Sequence, residues 1–187
     1  MRVLVLLYKG MLPKPGTTVG DAQWEDWKTE FHVLRSLKKL GHHVFPVEVD
    51  QSLDPLEKAI ENFQPDIVFN LLEEFADEPA FDKHIVSYLE LKDIPYTGCG
   101  PEGLLLCRDK ALAKKILGHH GVKTPQFFVS PKGQKKFNQD FEFKFPMIVK
   151  SLTEEASMGL SHSSVVHNQE RLEERVQFIK DLSLIHI

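Results

Sequence analysis

The sequence predicts an α/β protein in two parts, an open parallel sheet followed by a smaller α+β region. In the first hundred residues, short apolar runs rich in β-branched residues alternate with amphipathic segments. This alternation is typical of βαβ units, whose parallel sheet is covered on both faces. From Arg108 onward the order becomes helix, strand, hairpin and helix. Because 187 residues are enough for two small domains, we place a boundary near residue 106.

The first part alternates strands with helices. We expect this order to form a Rossmann-like layered structure over residues 1 to about 104. Because no G-x-G-x-x-G pattern follows the first strand, we do not expect a dinucleotide there. The predicted strands are Val3 to Leu7, His42 to Val49, Asp66 to Asn70 and Ile94 to Thr97. The predicted helices begin at Trp24, Asp54 and Pro79, and end before Gly41, near Phe63 and near Lys92.

The sequence of the second part predicts an α+β arrangement. Asp109 is placed to cap a helix that Gly121 ends. The elements expected after it are a strand from Thr124 to Val129, a polar connection from Pro131 to Glu142, a strand ending at Val149, an alternating run from Gly159 to Val166, and a helix from Gln169 to about Lys180. The two runs on either side of the loop predict a hairpin.

Composition narrows the classes of function. The net charge of −4 argues against general affinity for nucleic acid or acidic membranes. Cys99 and Cys107 lack metal-type spacing, as do the histidine pairs at 42–43 and 119–120. The amino-terminal apolar run, five residues long in the sequence, is too short for a signal peptide or a membrane span. We therefore expect a cytoplasmic protein without a metal site in these residues.

One lysine follows an apolar run directly. Residues 146 to 149 predict a buried strand, and Lys150 stands at its end. Because burial of an unpaired ammonium is costly, this lysine needs an anion, a cavity or a route to solvent. The loop after it, TEEASMG, contains small residues whose backbone can approach a phosphate closely. By itself the lysine leaves both an anion partner and a solvated strand end open.

The order of several short motifs between Pro65 and Lys180 is informative. The motifs are Ile94 to Gly98, Asp109-Lys110, Lys114, Gly121-Val122, Thr124-Pro125, Phe145-Pro146 and Ile148 to Lys150. In this order and spacing they resemble the ATP-grasp superfamily, and within it the D-alanine–D-alanine ligases and their uncharacterised relatives. The resemblance implies a Rossmann-like pre-ATP-grasp domain over residues 1–106. It also implies a truncated first subdomain of an ATP-grasp domain over residues 107–181.

The resemblance also implies a chemistry. ATP-grasp enzymes use ATP and Mg²⁺ to activate a carboxylate as an acyl phosphate, which then couples to an amine. By the family pattern, Lys110 and Lys150 face the nucleotide, and Ser157 and Gly159 lie in the flexible loop that covers the phosphates. Two fixed cations would offset charge on the transferring phosphoryl oxygens. The Mg²⁺ ligands and the adenine-binding hinge are expected beyond the end of this chain.

The chain departs from the ligases in places that concern the substrate. Leu72-Glu73-Glu74 stands where the ligases usually carry a His-Gly pair, YKGMLPKPGTT replaces their glycine-rich acidic motif, and Ser151 replaces a common proline. These departures leave D-alanine unassigned as a substrate. Glu73, Glu74, Asp77 and Glu78 follow a predicted parallel strand, at the end where α/β folds bind ligands. Glu73 and Glu74 are therefore candidates for binding an amine, and a solvated loop is the alternative.

Three functions follow as hypotheses. The first is an ATP-dependent carboxylate–amine ligase that acts on small molecules, without nucleic acid or membrane partners. Whether the full-length protein forms a homodimer is left open. The second is a non-catalytic α/β ligand-binding module in which Lys110 and Lys150 are structural. The third is a glycosyltransferase-like α/β enzyme.

The final residues, 182 to 187, raise a separate expectation. LSLIHI is a translation of the nucleotide sequence CTGTCTCTTATACACATC, a transposase adapter used in sequencing libraries. We expect these six residues to be adapter-encoded and the chain to be an amino-terminal fragment that is inactive by itself. The alternative is a genuine short apolar tail.

Overall fold

A computed structural model describes residues 1–22, 25–130, 144–153 and 160–182. The chain divides into two compact units, Met1–Leu105 and Leu106–Ile187. Across the described residues, no helix is long and apolar enough to cross a membrane. The architecture is α/β, with a three-stranded parallel sheet in the first unit and a small antiparallel pair in the second. The predicted fold class is confirmed.

The central strand of the first unit is β1 (Arg2–Tyr8). It pairs in parallel with β2 (His43–Val49) on one side and with β3 (Ile67–Asn70) on the other. Residues 3 to 7 of β1 are all buried. A strand that is apolar at every position suits this place because both faces of a parallel sheet are covered.

Helices cover the sheet on both faces. One core cluster joins Leu4 and Leu6 of β1 to Leu56 and Leu89, and a second joins alternate β1 residues to Leu34. The helices of this unit are α1 (Val19–Ala22), α2 (Lys28–Lys39), α3 (Asp54–Phe63), a 3-10 turn (Pro79–Phe81) and α4 (Asp82–Leu91); α5 (Pro101–Arg108) crosses into the second unit.

The first three predicted strands and the three predicted helices are confirmed, with shifted ends. Helix α2 begins at Lys28, and Trp24 lies outside the described residues. The fourth strand, predicted over Ile94 to Thr97, is reduced to one parallel bridge between Tyr96 and Val68. Helix α5 was not predicted, because Pro101 and Gly103 weaken the helical pattern of its residues.

The second unit combines two helices with a short hairpin and a 3-10 turn. Its ordered elements are α6 (Lys110–His119), β4 (Met147–Ile148), a 3-10 turn (His162–Ser164), β5 (Val165–Val166) and α7 (Gln169–Leu182). Strands β4 and β5 pair antiparallel, which confirms the hairpin. The predicted helices at 109–121 and 169–180 are confirmed. The expected connection at 131–142 lies outside the described residues. Of the predicted tail at 182–187, the structure describes Leu182 alone, which ends α7.

Two predictions for this unit are wrong. Thr124 to Val129 forms no strand and lies in an irregular segment. The run before Lys150 is not buried throughout, since Ile148 is 56% exposed and residues 144 to 150 alternate between exposed and half-buried positions. The hairpin packs one face only, and Lys150 is itself exposed. Because Lys150 is exposed, burial does not by itself require an anion beside it.

A buried arginine joins α7 to the hairpin. Arg175 is 9% exposed, and its Nη2 donates a hydrogen bond of 2.9 Å to Oγ of Ser164. Its guanidinium also lies 4.4 Å from the ring centroid of Phe178. Ser164 is buried as well, so this hydrogen bond joins the side chains of two buried polar residues.

We expect Arg175→Ala to lower the free energy of unfolding by about 2 kcal/mol, because the change removes one hydrogen bond of the buried Ser164 hydroxyl and leaves a cavity. Arg171→Ala is the matched control on the same helix, since the Arg171–Glu174 ion pair is exposed and contributes little. Urea denaturation followed by circular dichroism measures both. Equal stability of the two variants would contradict the assignment.

Candidate functional site

The three parallel strands end at one edge of the sheet. Tyr8 at the end of β1 pairs with Val49 at the end of β2, and Asn70 ends β3. In open parallel sheets, ligands bind outside this carboxyl edge. Four carboxylates occupy the segments that leave it, and we call them the acidic edge: Asp50, Glu73, Glu74 and Asp77.

Two members of the acidic edge are held by hydrogen bonds. The hydroxyl of Tyr8 donates to Oδ1 of Asp77 at 2.7 Å, and it lies 3.4 Å from Oδ1 of Asp50. Nζ of Lys9 donates to Oδ2 of Asp50 at 2.7 Å, and Nε2 of Gln51 donates to Oδ2 of Asp77 at 3.2 Å. The hydrogen bond to Asp77, followed by burial, raises the pKa of the Tyr8 hydroxyl. The tyrosine therefore remains a neutral donor.

The other two members of the acidic edge, Glu73 and Glu74, lack such hydrogen bonds in the part of the chain that the structure describes. Among the described residues, the carboxylates of Glu73 and Glu74 form no hydrogen bond or ion pair. Glu73 is exposed and Glu74 is half-buried. Burial raises the pKa of Glu74, and the charges of Asp77 and Glu73 raise it further. The sequence prediction that these two glutamates lie at the sheet edge agrees with their positions.

The loop from 71 to 78 folds back on the end of β2. Ala76 and Asp77 have φ angles of 56° and 59°, in the left-handed region. The amide of Ala76 donates to the carbonyl oxygen of Asp50 at 2.9 Å. Oε1 of Glu78 accepts from the amide of Ala80 at 3.1 Å and so begins the 3-10 turn. Glu78, the fourth acid that the sequence suggested for this cluster, therefore acts as a helix cap.

Sequence reasoning missed one acid in this region. Glu30 lies in the first turn of α2 and is only 7% exposed. Its Oε2 is buried and has no hydrogen-bond partner in the part of the chain that the structure describes. Burial raises the pKa of this carboxyl, and the charge of Glu73 adds to the effect. The available signal was its spacing, since Glu30 lies three residues after Trp27 and four before Leu34 on the apolar face of the helix.

The second unit contains the two predicted lysines. Oδ1 of Asp109 accepts from the amides of Ala111 and Leu112, both at 2.9 Å, and caps α6 as expected. Lys110 follows the cap, and both its amide and its Nζ point to the carbonyl oxygen of Leu152, at 3.3 and 3.4 Å. Lys150 lies two residues before Leu152.

The start of α6 therefore contacts the segment that leaves β4. The amide of Val149 donates to the carbonyl oxygen of Ser164 at 2.8 Å, which extends the hairpin ladder to the residue before Lys150. Lys110 and Lys150 are thus brought to one region of the second unit by two separate elements. Ser157 and Gly159 lie outside the described residues.

The part of the chain that the structure describes contains no group of three or more His, Cys, Asp or Glu side chains placed to hold a metal ion. The acidic edge has the oxygen ligands that Mg²⁺ prefers, but its carboxylates do not converge on one point. We therefore assign Mg²⁺ to none of these residues.

No protein-family model matches the chain. Known proteins do match it. A D-alanine–D-alanine ligase of Aquifex aeolicus is 33% identical over 147 residues, which cover 79% of this chain and 47% of that enzyme. A D-alanine–D-alanine ligase of Syntrophotalea carbinolica is 32% identical over 140 residues, 75% of this chain and 42% of that protein. This chain is homologous to D-alanine–D-alanine ligases.

The homology to these ligases has a limited extent. The uncharacterized protein y4sG of Sinorhizobium fredii is 30% identical over 164 residues, 83% of this chain and 46% of that protein. The chain spans about half the length of the curated relatives it matches. A solved structure also matches this fold. The crystal structure of D-alanine–D-alanine ligase from Bacillus anthracis complexed with ATP matches 97% of this chain, with a TM-score of 0.69 and 22% sequence identity. The match covers 55% of the Bacillus anthracis protein.

The burial of Glu30 predicts how stability depends on pH. A carboxyl whose pKa is raised by folding stabilises the fold in its protonated form, so that stability is full below the unfolded pKa of about 4.3. This stability is lost as the pH rises from there through the raised folded value. We expect Glu30→Gln to be more stable than the parent at pH 7, and the difference to shrink as the pH falls toward 4. Thermal melting across this pH range measures it.

Glu61→Gln is the matched control, because Glu61 is exposed in the last turns of α3. It should change the melting temperature little and without a pH trend. A Glu30→Gln variant that melts below the parent at pH 7 would show that the carboxylate is favourably paired in the folded protein.

Proposed function

We propose that this chain belongs to an ATP-dependent carboxylate–amine ligase that acts through an acyl phosphate. The observation that carries the proposal is the position of Lys110, which follows the cap of α6 and contacts Leu152 in the segment that leaves Lys150. The homology to D-alanine–D-alanine ligases supports it. Within this proposal residues 1–106 are the pre-ATP-grasp domain and residues 107–181 the first subdomain of the ATP-grasp domain.

The reaction has two steps. An oxygen of the substrate carboxylate attacks the γ-phosphorus of ATP, the bond to the β-phosphate oxygen breaks, and ADP leaves. The neutral amine then attacks the acyl carbon, the bond from that carbon to the phosphate oxygen breaks, inorganic phosphate leaves, and the nitrogen releases one proton to solvent as the amide forms. Lys110 and Lys150 offset charge on the phosphate oxygens, and the backbone around Ser157 and Gly159 contributes N–H donors. Mg²⁺, bound together with ATP, would supply further positive charge to the phosphates.

The amine substrate is proposed to bind at the acidic edge. Glu73 and Glu74 have no partner among the described residues, and they follow the strand end where α/β folds bind ligands. Burial raises the pKa of Glu74, and the charges of Asp77 and Glu73 raise it further; an ammonium group bound nearby would offset this repulsion. Since Leu72-Glu73-Glu74 departs from the ligase motif, the proposal does not name D-alanine.

A structural role for Lys110 is the competing explanation. Its Nζ lies 3.4 Å from the carbonyl oxygen of Leu152, a contact that could serve only to join α6 to the hairpin. The same contact would be retained in a binding module that uses no nucleotide. Kinetics separate the two explanations, because a structural lysine changes stability and a phosphate-binding lysine changes the use of ATP.

We expect Lys110→Ala and Lys150→Ala, each made in the complete protein, to lower kcat/KM for ATP by about 100-fold or more, because each removes a cation from the phosphates. Lys115→Ala is the matched control, since Lys115 is exposed on the same helix. Circular dichroism verifies that all three variants fold. Unchanged ATP turnover in both the Lys110 and the Lys150 variant would contradict the assignment of a nucleotide site to the second unit.

We expect Glu73→Gln and Glu74→Gln to raise KM for the amine by about tenfold while KM for ATP stays within twofold, because each removes one charge that attracts the ammonium. Steady-state kinetics with the amine varied at saturating ATP measure this split. If both constants match those of the parent, the glutamates belong to a solvated loop.

A further inference from the structure

The loop at residues 71–78 is anchored to the sheet where it begins. The amide of Leu71 donates to the carbonyl oxygen of Leu6 in β1 at 3.0 Å. The amide of Leu72 donates to Oδ1 of Asn70 at 3.1 Å, and the side chain of Leu72 is buried in the core cluster around β1. The chain therefore leaves β3 in a fixed direction.

The loop ends in a tight turn at residues 75–78. The amide of Glu78 donates to the carbonyl oxygen of Phe75 at 3.1 Å, and the reverse hydrogen bond measures 3.3 Å. Both central residues, Ala76 and Asp77, have positive φ angles, which is the requirement of a type I′ turn. Alanine gains nothing locally from this conformation, because its Cβ makes a positive φ unfavourable. The turn therefore depends on contacts from outside it.

Three hydrogen bonds from other segments hold the 75–78 turn. The carbonyl oxygen of Asp50, just after β2, accepts from the amide of Ala76 at 2.9 Å. The hydroxyl of Tyr8, the last residue of β1, donates to Oδ1 of Asp77 at 2.7 Å. Nε2 of Gln51 donates to the other carboxylate oxygen of Asp77 at 3.2 Å. The charged acceptor and the short distance make the Tyr8 hydrogen bond the strongest of the three.

Tyr8 connects the turn to the core of the first unit. It packs against the core cluster that contains Leu4 and Leu6, and Phe75, the first residue of the turn, packs against the same cluster. Because Tyr8 ends the central and most buried strand of the sheet, its hydroxyl has little freedom to move. The hydrogen bond to Asp77 therefore fixes the end of the loop relative to β1.

Glu73 and Glu74 lie between the two anchored ends of the loop. Neither carboxylate forms a hydrogen bond or an ion pair within the described ranges, so the backbone that carries these side chains determines where they lie. We infer that Tyr8 is a positioning residue, whose hydrogen bond to Asp77 holds the 75–78 turn and so places the two glutamates. The inference rests on the proposed function in one respect, that Glu73 and Glu74 bind the amine.

Amide hydrogen exchange of the 187-residue chain, followed by NMR, tests the anchor without any ligand. We expect Tyr8→Phe to raise the exchange rate of the Ala76 amide about tenfold, because loss of a hydrogen bond to a carboxylate allows the turn to open. The amide of Leu71, which is bound at the other end of the loop, should exchange at the parent rate. Equal rates at Ala76 in the variant and the parent would overturn the inference.

Tyr88→Phe is the matched control. The hydroxyl of Tyr88 in α4 donates to Oε1 of Glu57 in α3 at 2.8 Å, so this variant removes the same kind of hydrogen bond between two helices. It should leave the exchange of the Ala76 amide unchanged. An equal rise at Ala76 in the Tyr8 and Tyr88 variants would show a general loss of stability and would overturn the inference.

A second variant decides the question if Tyr8→Phe does not fold. Gln51 is exposed, and Gln51→Ala removes the other side-chain donor to Asp77. We expect the exchange rate of the Ala76 amide to rise about threefold, because one of the two donors to Asp77 is retained. Unchanged exchange at Ala76 in Gln51→Ala would then overturn the anchor.

Binding of ethylammonium chloride connects the anchor to the amine site. Added to the same chain, this probe should shift the NMR signals of the Glu73 and Glu74 amides, whereas potassium chloride at equal ionic strength should not. We expect Tyr8→Phe to weaken ethylammonium binding about threefold, because the two carboxylates lose their preorganised positions. Tyr88→Phe should leave the affinity unchanged.

The outcomes separate the anchor from the proposed function. Ethylammonium binding that Tyr8→Phe leaves unchanged would retain the amine site and overturn the positioning role of Tyr8. Absence of ethylammonium shifts at Glu73 and Glu74 in the parent would reject the amine site, and the positioning role would be overturned with it. Neither result depends on the nucleotide site, because no ATP is present.

Discussion

The burial of β1 between two parallel partners is the constraint on which the first unit depends. Because residues 3 to 7 are apolar on both faces, helices must cover the sheet above and below. Because all three strands run in one direction, their carboxyl ends meet at a single edge. Every polar group that follows a strand is therefore delivered to the same place, and the acidic edge is a consequence of this topology.

Charge at that edge is only partly compensated by the protein itself. Lys9 pairs with Asp50, and Tyr8 and Gln51 donate to Asp77. Glu30 is instead buried, and among the described residues its Oε2 has no hydrogen-bond partner. An arrangement of this kind reduces stability at neutral pH, because burial disfavours the charged form of a carboxyl.

The second unit depends on different contacts. Its hairpin is short, and Arg175 fixes α7 against it through Ser164. The carbonyl oxygen of Leu152 receives both donors of Lys110, so the beginning of α6 is fixed to the segment after Lys150. These two contacts place a capped helix start and an exposed lysine in one region. The ligase structure from Bacillus anthracis matches 97% of this chain in fold, and the role of the lysines is a proposal.

The sequence by itself determined the α/β class, the three strands of the sheet, the helix that Asp109 caps and the resemblance to the ligases, because periodicity, caps and motif order are local properties. It misassigned Thr124 to Val129 as a strand and the run before Lys150 as buried, because β-rich composition does not specify a partner or a covered face. Only the tertiary structure revealed Glu30 as a buried acid whose Oε2 has no hydrogen-bond partner among the described residues. Helical spacing places a residue on a face, but burial and the approach of Glu73 depend on packing between segments distant in the chain.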